Sequence, residues 1–418
     1  MNDAMHRTTL AALCKLVTDG THDSPKLIKK GVPFIKGKHI SGGRVDFASC
    51  DYISHEDHLA VIARSKPERG DTLFSNIGSV GDAAFVDTDR EFSIKNVALF
   101  KPDHSKVDPK YLFYLLRSDG VRNEMLAAKS GSAQPFISLG ALRAHQVNVH
   151  SSVETQRRIA SILGAYDDLI EVNRRRIAVL DEMARELFEE WFVRFRFPGH
   201  EAVPILDTPD GPLPEGWSAR TIGDLGDVVT GKTPSKAVPE FFGGDVPFVK
   251  IPDLHSSFFV HSTGETLSED GAASQSNKTV PDGALCVSCI GTIGLVAITA
   301  APCQTNQQIN TLIPPNQEWT EFLYFSLVRA KPHFINLGAN GATIGNVNKK
   351  KFSDVRVSCP TSALLRAFHK QSAPMFALIR NVEYANHGLA SSRDLLLPRL
   401  ISGQLSVAHA ERELEEAA

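Results

Sequence analysis

ETQRRIASILGAYDDLIEVNRRRIAVLDEMARELFEEWF, residues Glu154–Phe192, decides how the rest of the chain is read. Apolar side chains recur at Ile159, Ile162, Tyr166, Leu169, Ile177, Leu180, Ala184, Leu187 and Trp191. The steps are mostly three and four residues, the period of one helix face. No Pro interrupts the run, and Gly164 is its only Gly. At ~1.5 Å per residue it predicts a rod of roughly 58 Å, long for a helix inside a compact domain. Arg157, Arg158, Asp167, Glu171, Arg174, Arg175, Glu182, Arg185 and Glu189 lie off that stripe. A helix in an ordinary helical core is the plain reading; the charged outer face favours a coiled coil. Two steps of four, Leu169 to Asn173 to Ile177, read as a stutter in the heptad pattern. Asn173 falls on the seam, where a polar residue can fix register with a partner helix.

The chain repeats itself. VPFIK at Val32–Lys36 returns as VPFVK at Val246–Lys250, and GDTLFSNIGSVGDAAFV at Gly70–Val86 as GALCVSCIGTIGLVAIT at Gly283–Thr299. IKNVALF, with Asn96, aligns with QINTLIP, with Asn310, and YLFYLL from Tyr111 aligns with FLYFSL from Phe322. Gly131–Val147 matches Gly341–Val357. A unit of about 150 residues is therefore duplicated. Each copy precedes a helical stretch, 154–192 and about 362–402. The second stretch contains Pro374, Pro398 and Gly388 and reads as the poorer helix. Asn381 aligns there with Asn173 and is the expected second register residue. Within each copy, short β-like runs (Val32–Lys36, Thr72–Ser75, Ala83–Val86, Asn96–Phe100) and a short helix, Tyr111–Arg117 or Phe322–Arg329, indicate an α+β domain.

The expected architecture is two tandem α+β domains separated by two long antiparallel helices that form a coiled coil with approximate two-fold symmetry. The boundaries are 1–150 for the first domain, 151–197 for the central helix, and 198–361 for the second domain, with 198–216 as a Pro- and Gly-rich linker. A distal helix occupies 362–405, followed by a tail, 406–418.

Composition sets bounds. The chain has 418 residues, 42% of them hydrophobic, and no apolar run long enough for a membrane span. Six Cys without framework spacing suit a reducing cytoplasm. Net charge is −3, so any nucleic-acid binding must come from local patches.

Chemical motifs are scarce. GDVVTGKT at Gly226–Thr233 fits the phosphate-binding loop pattern, with Lys232 as the key cation of a rival NTPase reading. Against it, ARTIGDL is a poor buried strand, Pro239 would break the following helix, and the first copy has no matching GK. Cys286 and Cys289 form a lone CxxC with no patterned second pair, so no metal site is expected. No catalytic constellation is found.

The basic stretches are more informative. Lys29, Lys30, Lys36, Lys38, His39 and Arg44 cluster in the first copy, and Lys232, Thr233, Lys236 and Lys250 occupy the matching region of the second. Late in the second copy come Asn346, Asn348, Lys349, Lys350 and Lys351; the first has Gln134 and Arg143 there. Lys and Arg neutralise phosphates, while Asn, Gln and Arg can read base edges. A charge run is usually a solvated face; matching positions in two copies make these candidates for DNA contact.

In combination, GWSARTIGDLGDVVTGKTPS, VPFVKIPDL, SCIGTIG, NQQIN, GATIGNVNKKKF, the Glu154–Phe192 helix and SSRDLLLPRLISGQL resemble the specificity subunit of type I restriction–modification systems. The resemblance covers nearly the whole chain. It implies that the α+β units are target-recognition domains and the helices conserved spacers. It also implies a non-catalytic subunit that binds double-stranded DNA and recruits two methyltransferase subunits and restriction–translocase subunits. S-adenosylmethionine, ATP and magnesium would belong to those partners. Each domain would read one half of a split, asymmetric site, and the helices would act as a ruler, one added turn of ~5.4 Å altering the unread gap by about one or two base pairs. Leu187, Phe188, Trp191 and Phe192, with Leu395, Leu396 and Leu397, exceed what a two-helix seam needs and are the expected methyltransferase-docking face. A coiled-coil scaffold that binds no DNA is the second rival.

Overall fold

The computed structural model describes residues 4–78, 80–127, 136–255, 257–339 and 345–417. The chain divides into two compact units, Met1–Ile170 with Leu389–Ala418, and Glu171–Gly388. Each unit holds one copy of the repeat and a part of both long helices.

The first long helix is Val153–Phe188, continued by a π turn, Glu189–Val193. Its buried positions include Ile159, Leu163, Ile170, Asn173, Ala184 and Phe188. Leu169 is exposed. With Ile170 in place of Leu169, Asn173 and then Ile177 follow at steps of three and four, so there is no stutter. Leu169 is the apolar residue beside the seam, not part of it.

The second long helix, Ser362–Ile401, runs unbroken through Pro374, Gly388 and Pro398, contrary to its sequence. All three are exposed, so the carbonyls that the prolines leave unbonded can be hydrated. Burial of the other face outweighs the propensity cost. In the first unit Asp167 meets Arg393; in the second Asn173 Nδ2 donates to Asn386 Oδ1 at 2.9 Å, and Phe188 lies 6.2 Å from Phe368. In the second unit the two contacts run in opposite order along the two helices, so there the helices pair antiparallel. Asn381, expected on the seam, is exposed. A fixed offset finds the equivalent residue of a repeat, but in an antiparallel pair the facing residue is found by counting backward, which leads to Asn386.

The two copies share a topology. In the first unit a four-stranded sheet has the order Cys14–Asp19, Ala98–Pro102, Thr72–Phe74, Ala83–Phe85. A second sheet places Val32–Lys36 between Asp51–Ile53 and Ser93–Lys95, the last pairing being parallel. The second unit repeats this with Asp227–Thr230, Ile309–Ile313, Leu285–Ser288, Val296–Thr299 and Phe259–Val260, and with Phe242–Val249 parallel to Cys303–Thr305. The ladders correct one alignment. Ala98 faces Phe74, and Asn310 faces Val287, so Ala98 corresponds to Asn310 and Asn96 to Gln308. Aligning Asn96 with Asn310 by sequence is a slip of two residues. Side chains alternate with period two along a strand, so such a slip leaves the hydropathy pattern intact.

The short helices are present as Pro109–Arg117 and Thr320–Arg329. The first is capped by Asp108, which accepts from Tyr111 N at 3.0 Å, with Pro109 in its first turn. The stretch 198–216 contains a hairpin, Ile205–Thr208 with Gly211–Pro214, turned at Gly211 with φ of +100°. The terminal helix Val407–Ala417 packs Val407 and Ala410 into the first unit's core, and Arg158 pairs with Glu411.

The aromatic cluster expected to dock a partner is interior. Phe188, Trp191 and Phe192 are 4%, 5% and 5% exposed, and Phe192 lies 4.9 Å from both Phe322 and Phe368. Leu187 packs against the same core. In the first unit Leu397 is buried and Leu396 half-buried in the core, leaving Leu395 alone on the surface. The excess over a two-helix seam is consumed by a third helix, Thr320–Arg329, which packs onto the pair in the second unit. No helix among the described residues is long and apolar enough to cross a membrane.

Candidate nucleic-acid interface

In each unit two parallel strands end side by side. Lys36 is opposite Lys95 in the first, and Val249 opposite Thr305 in the second. A third segment crosses their ends. It begins at Gly20 or Gly231, where a Cβ would fall 2.2 Å from Ile94 O or 2.1 Å from Asn306 O. Only glycine fits so close an approach. Thr21 N then donates to Ile94 O at 3.1 Å, and Lys232 N to Thr305 O at 2.9 Å. The chain leaves both glycines as loops, Thr21–Ser24 and Lys232–Ser235. This explains GDVVTGKT without a nucleotide. Asp227–Thr230 is a strand, no helix opens after Lys232, and Gly231 serves strand crossing. The NTPase reading is therefore not favoured.

Several candidate residues turn out to hold the scaffold. Lys36 Nζ bonds Asp51 at 2.7 Å and sits 5.6 Å from the Phe34 ring; Lys250 pairs with Glu265 and sits 5.6 Å from the Phe248 ring. Both lysines cap the turn that follows their strand. Lys36 N donates to His39 Nδ1 at 3.0 Å, and Lys250 N to Asp253 Oδ2 at 2.8 Å. His39 is 1% exposed, too buried to meet DNA. Its Nδ1 accepts, so the proton of the neutral ring is on Nε2, which has no partner among the described residues. Burial, first, and then the Lys38 charge hold its pKa below the usual 6.5.

Arg143 spends Nε and Nη2 on Val17 O at 2.9 and 2.6 Å. Asn348 caps the helix Lys349–Ser353 by accepting from Lys351 N at 2.9 Å. Lys350 pairs with Asp354 at 2.6 Å, and Lys351 Nζ donates to Leu337 O at 2.9 Å. Each of these has a structural duty. Thr233 Oγ1 donates to Gln307 Oε1 at 2.6 Å. Arg44 is half-buried in the hairpin Ile40–Ser41/Arg44–Val45 and is not without a partner. Asn346 is exposed in a single bridge to Ile290. Gln134 lies outside the described residues.

The side chains of Lys29, Lys30, Lys38, Lys232, Lys236 and Lys349 remain exposed and make no hydrogen bond or ion pair among the described residues. In the first unit Lys38 lies in the turn Gly37–His39, where the parallel strands end. Lys232 lies at the matching edge of the second. Two more residues of that edge, Lys95 and Gln307, escape a reading from sequence. Gly20 N donates to Val97 O and Gly231 N to Ile309 O, so Ile94 matches Thr305 and Val97 matches Ile309. The turn between them holds Lys95 and Asn96 in one unit and Asn306 to Gln308 in the other, one residue longer. That insertion and the two-residue slip together hide the correspondence.

The CxxC pair is structural. Burial raises the Cys286 thiol to about 12 and the Cys289 thiol to about 11, and Asn310 Nδ2 donates to Cys289 Sγ at 3.3 Å. No group of three metal-ligating side chains occurs among the described residues.

Comparison with known proteins gives a consistent result. The family described as type I restriction modification DNA specificity domain matches residues 8–182 and 214–363. The type I restriction enzyme HindI specificity subunit of Haemophilus influenzae is 32% identical, across 86% of this chain and 91% of that protein. The MjaIX specificity subunit of Methanocaldococcus jannaschii is 24% identical, across 71% and 69%. The crystal structure of the type I restriction–modification S subunit from M. genitalium superposes with a TM-score of 0.57 at 15% identity, covering 96% of each chain, which shows a shared fold. The duplicated α+β units, the paired helices and these matches together place the chain in the family of type I restriction–modification specificity subunits.

Proposed function

We propose that this chain selects the DNA sequence on which a type I restriction–modification complex acts, each α+β domain (1–150 and 198–361) reading one half of a bipartite, asymmetric site. The observation that carries this is the duplicated edge. Two copies of one scaffold, alike down to the Lys36 and Lys250 caps, present different side chains at the same place. A common frame with unlike readers is what recognition of two unlike half-sites requires. The exposed lysines Lys29, Lys30, Lys38, Lys232, Lys236 and Lys349 supply phosphate contact.

The subunit is non-catalytic. It works with methyltransferase and restriction subunits, which carry S-adenosylmethionine, ATP and magnesium, and it acts in the cytoplasm, where the host DNA is. The docking face for the methyltransferase is an exposed stripe of the first long helix in the second unit. Val172, Val179 and Met183 stand 46%, 59% and 52% exposed at heptad spacing, about 100° round the helix from Asn173 and Ala184. An apolar helix of the partner fits such a seam.

The test is to express the chain with its methyltransferase partner and map modified adenines in host DNA. A single split motif with two different halves is expected. A continuous or palindromic motif, or no motif from an assembled complex, refutes the proposal. A protein scaffold without DNA affinity would show no salt-dependent shift of duplex DNA.

A further inference from the structure

Lys95 and Gln307 occupy the same turn in the two units, at the last residue of the second parallel strand or just past its end. Each is tethered by the loop that crosses the strand ends. Lys95 Nζ donates to Asp23 O at 2.8 Å and to Ser24 Oγ, and Gln307 Oε1 accepts from Thr233 Oγ1 at 2.6 Å. Neither tether saturates its side chain. Lysine has three N–H donors and spends two, so one remains. Glutamine keeps a second lone pair on Oε1 and both hydrogens of Nε2. Gln307 is exposed, and the turn beneath it is fixed on three sides. Asn306 N donates to Val249 O at 3.0 Å, Lys232 N to Thr305 O at 2.9 Å, and Cys289 N to Gln308 O at 2.7 Å.

A side chain held in advance, with a defined set of unused donors and acceptors, is suited to reading a base edge in the major groove. An amide offering one acceptor and one donor matches adenine N6 and N7; an ammonium with one donor left matches guanine O6, where adenine presents its N6 amino group, itself a donor. We propose that Lys95 and Gln307 are the corresponding specificity-determining residues of the two domains, Lys95 reading guanine in one half-site and Gln307 reading adenine in the other. Thr233 is a positioning residue for Gln307. This rests on the DNA-reading function proposed above.

The experiment uses the complex with its methyltransferase. The wild-type motif is mapped first, and methylation rates are then measured on duplexes carrying every single-base change in that motif. Gln307→Lys is expected to move the preferred base at one position of one half from adenine to guanine, with about a tenfold or larger change in the rate ratio. Lys95→Gln should make the opposite change in the other half only. Thr233→Val should weaken discrimination at the Gln307 position alone, and Thr233→Ser should restore it. Gln307→Ala guards against an effect peculiar to lysine and should lose discrimination at that position. A uniform loss across all duplexes would mean a phosphate or purely structural role and overturns the proposal, as does an unchanged motif from an assembled variant complex. If the wild-type complex itself yields no split motif, the failure lies in the function reading, and this proposal falls with it.

Discussion

Phe192→Ala separates the two roles open to the aromatic end of the first long helix. Phe192 is 5% exposed and ringed by Phe188, Phe322, Phe368 and Trp217 at centroid distances of 5.3, 4.9, 4.9 and 5.9 Å. Truncation removes the whole ring and leaves a cavity that rigid aromatic neighbours fill poorly. Phe→Ala in such a core costs about 3–5 kcal/mol, a large part of the ~5–15 kcal/mol that holds a domain folded. At ~2–4 °C per kcal/mol for a unit of this size, the melting transition should fall by about 6–20 °C. The assay is thermal unfolding of the purified chain followed by circular dichroism, beside co-purification with the methyltransferase subunit. Val179→Glu with Met183→Glu is the counterpart. Both positions are exposed, so the chain should melt within about 2 °C of wild type while the complex fails to form. The reasoning is refuted if Phe192→Ala melts normally yet loses the methyltransferase. It is also refuted if the glutamates leave complex formation intact.

Other perturbations follow from the same geometry. His39 has its pKa depressed by burial, so its contribution is complete above the usual 6.5 and is lost as pH falls through the lower folded value; the urea midpoint should drop between pH 7.5 and 5.5, and His39→Asn, which keeps an acceptor for Lys36 N, should flatten that slope. Gly388 sits in the second long helix, where an added methyl would meet nothing within 4 Å, so Gly388→Ala should stabilise by about 0.5–1 kcal/mol in denaturant titration. Asp167 accepts from Tyr114 Oη at 2.6 Å and from Arg393 Nη1, and Arg393 is buried; in the same titration Asp167→Ala should cost about 2–3 kcal/mol, and Tyr114→Phe about 1 kcal/mol.

What could be read from sequence divides along physical lines. Periodicity and self-similarity are properties of the chain alone, so the duplication, the long helices and the short helices at Tyr111 and Phe322 were all legible. Burial is a property of partners. Leu169 and Ile170 are adjacent and both apolar, and nothing local says which one faces the second helix. Trp191 and Phe192 look like surplus because Phe368 and Phe322, which pack on them, arrive more than a hundred residues later. The same limit applied to the polar candidates. A lysine's charge is visible in sequence, but Asp51 and Glu265, which neutralise Lys36 and Lys250, are set opposite them only by strand pairing. Arg143, Asn348 and His39 looked like contacts because the residue types that bind DNA are also the types that cap helices and clamp loops.

The comparison of the two copies gives a sharper criterion than residue type. Where both copies use a residue for the same internal bond, it belongs to the frame. Lys36 and Lys250 cap the same turn, and Gly20 and Gly231 permit the same crossing. Where the place is kept and the chemistry changes, internal demands have not dictated the identity. Lys95 and Gln307 meet that condition, because a lysine and a glutamine are both accommodated by the same loop. A position that the fold leaves free to vary, at an edge lined with uncommitted lysines, is where a chain with two similar halves can distinguish two dissimilar stretches of DNA.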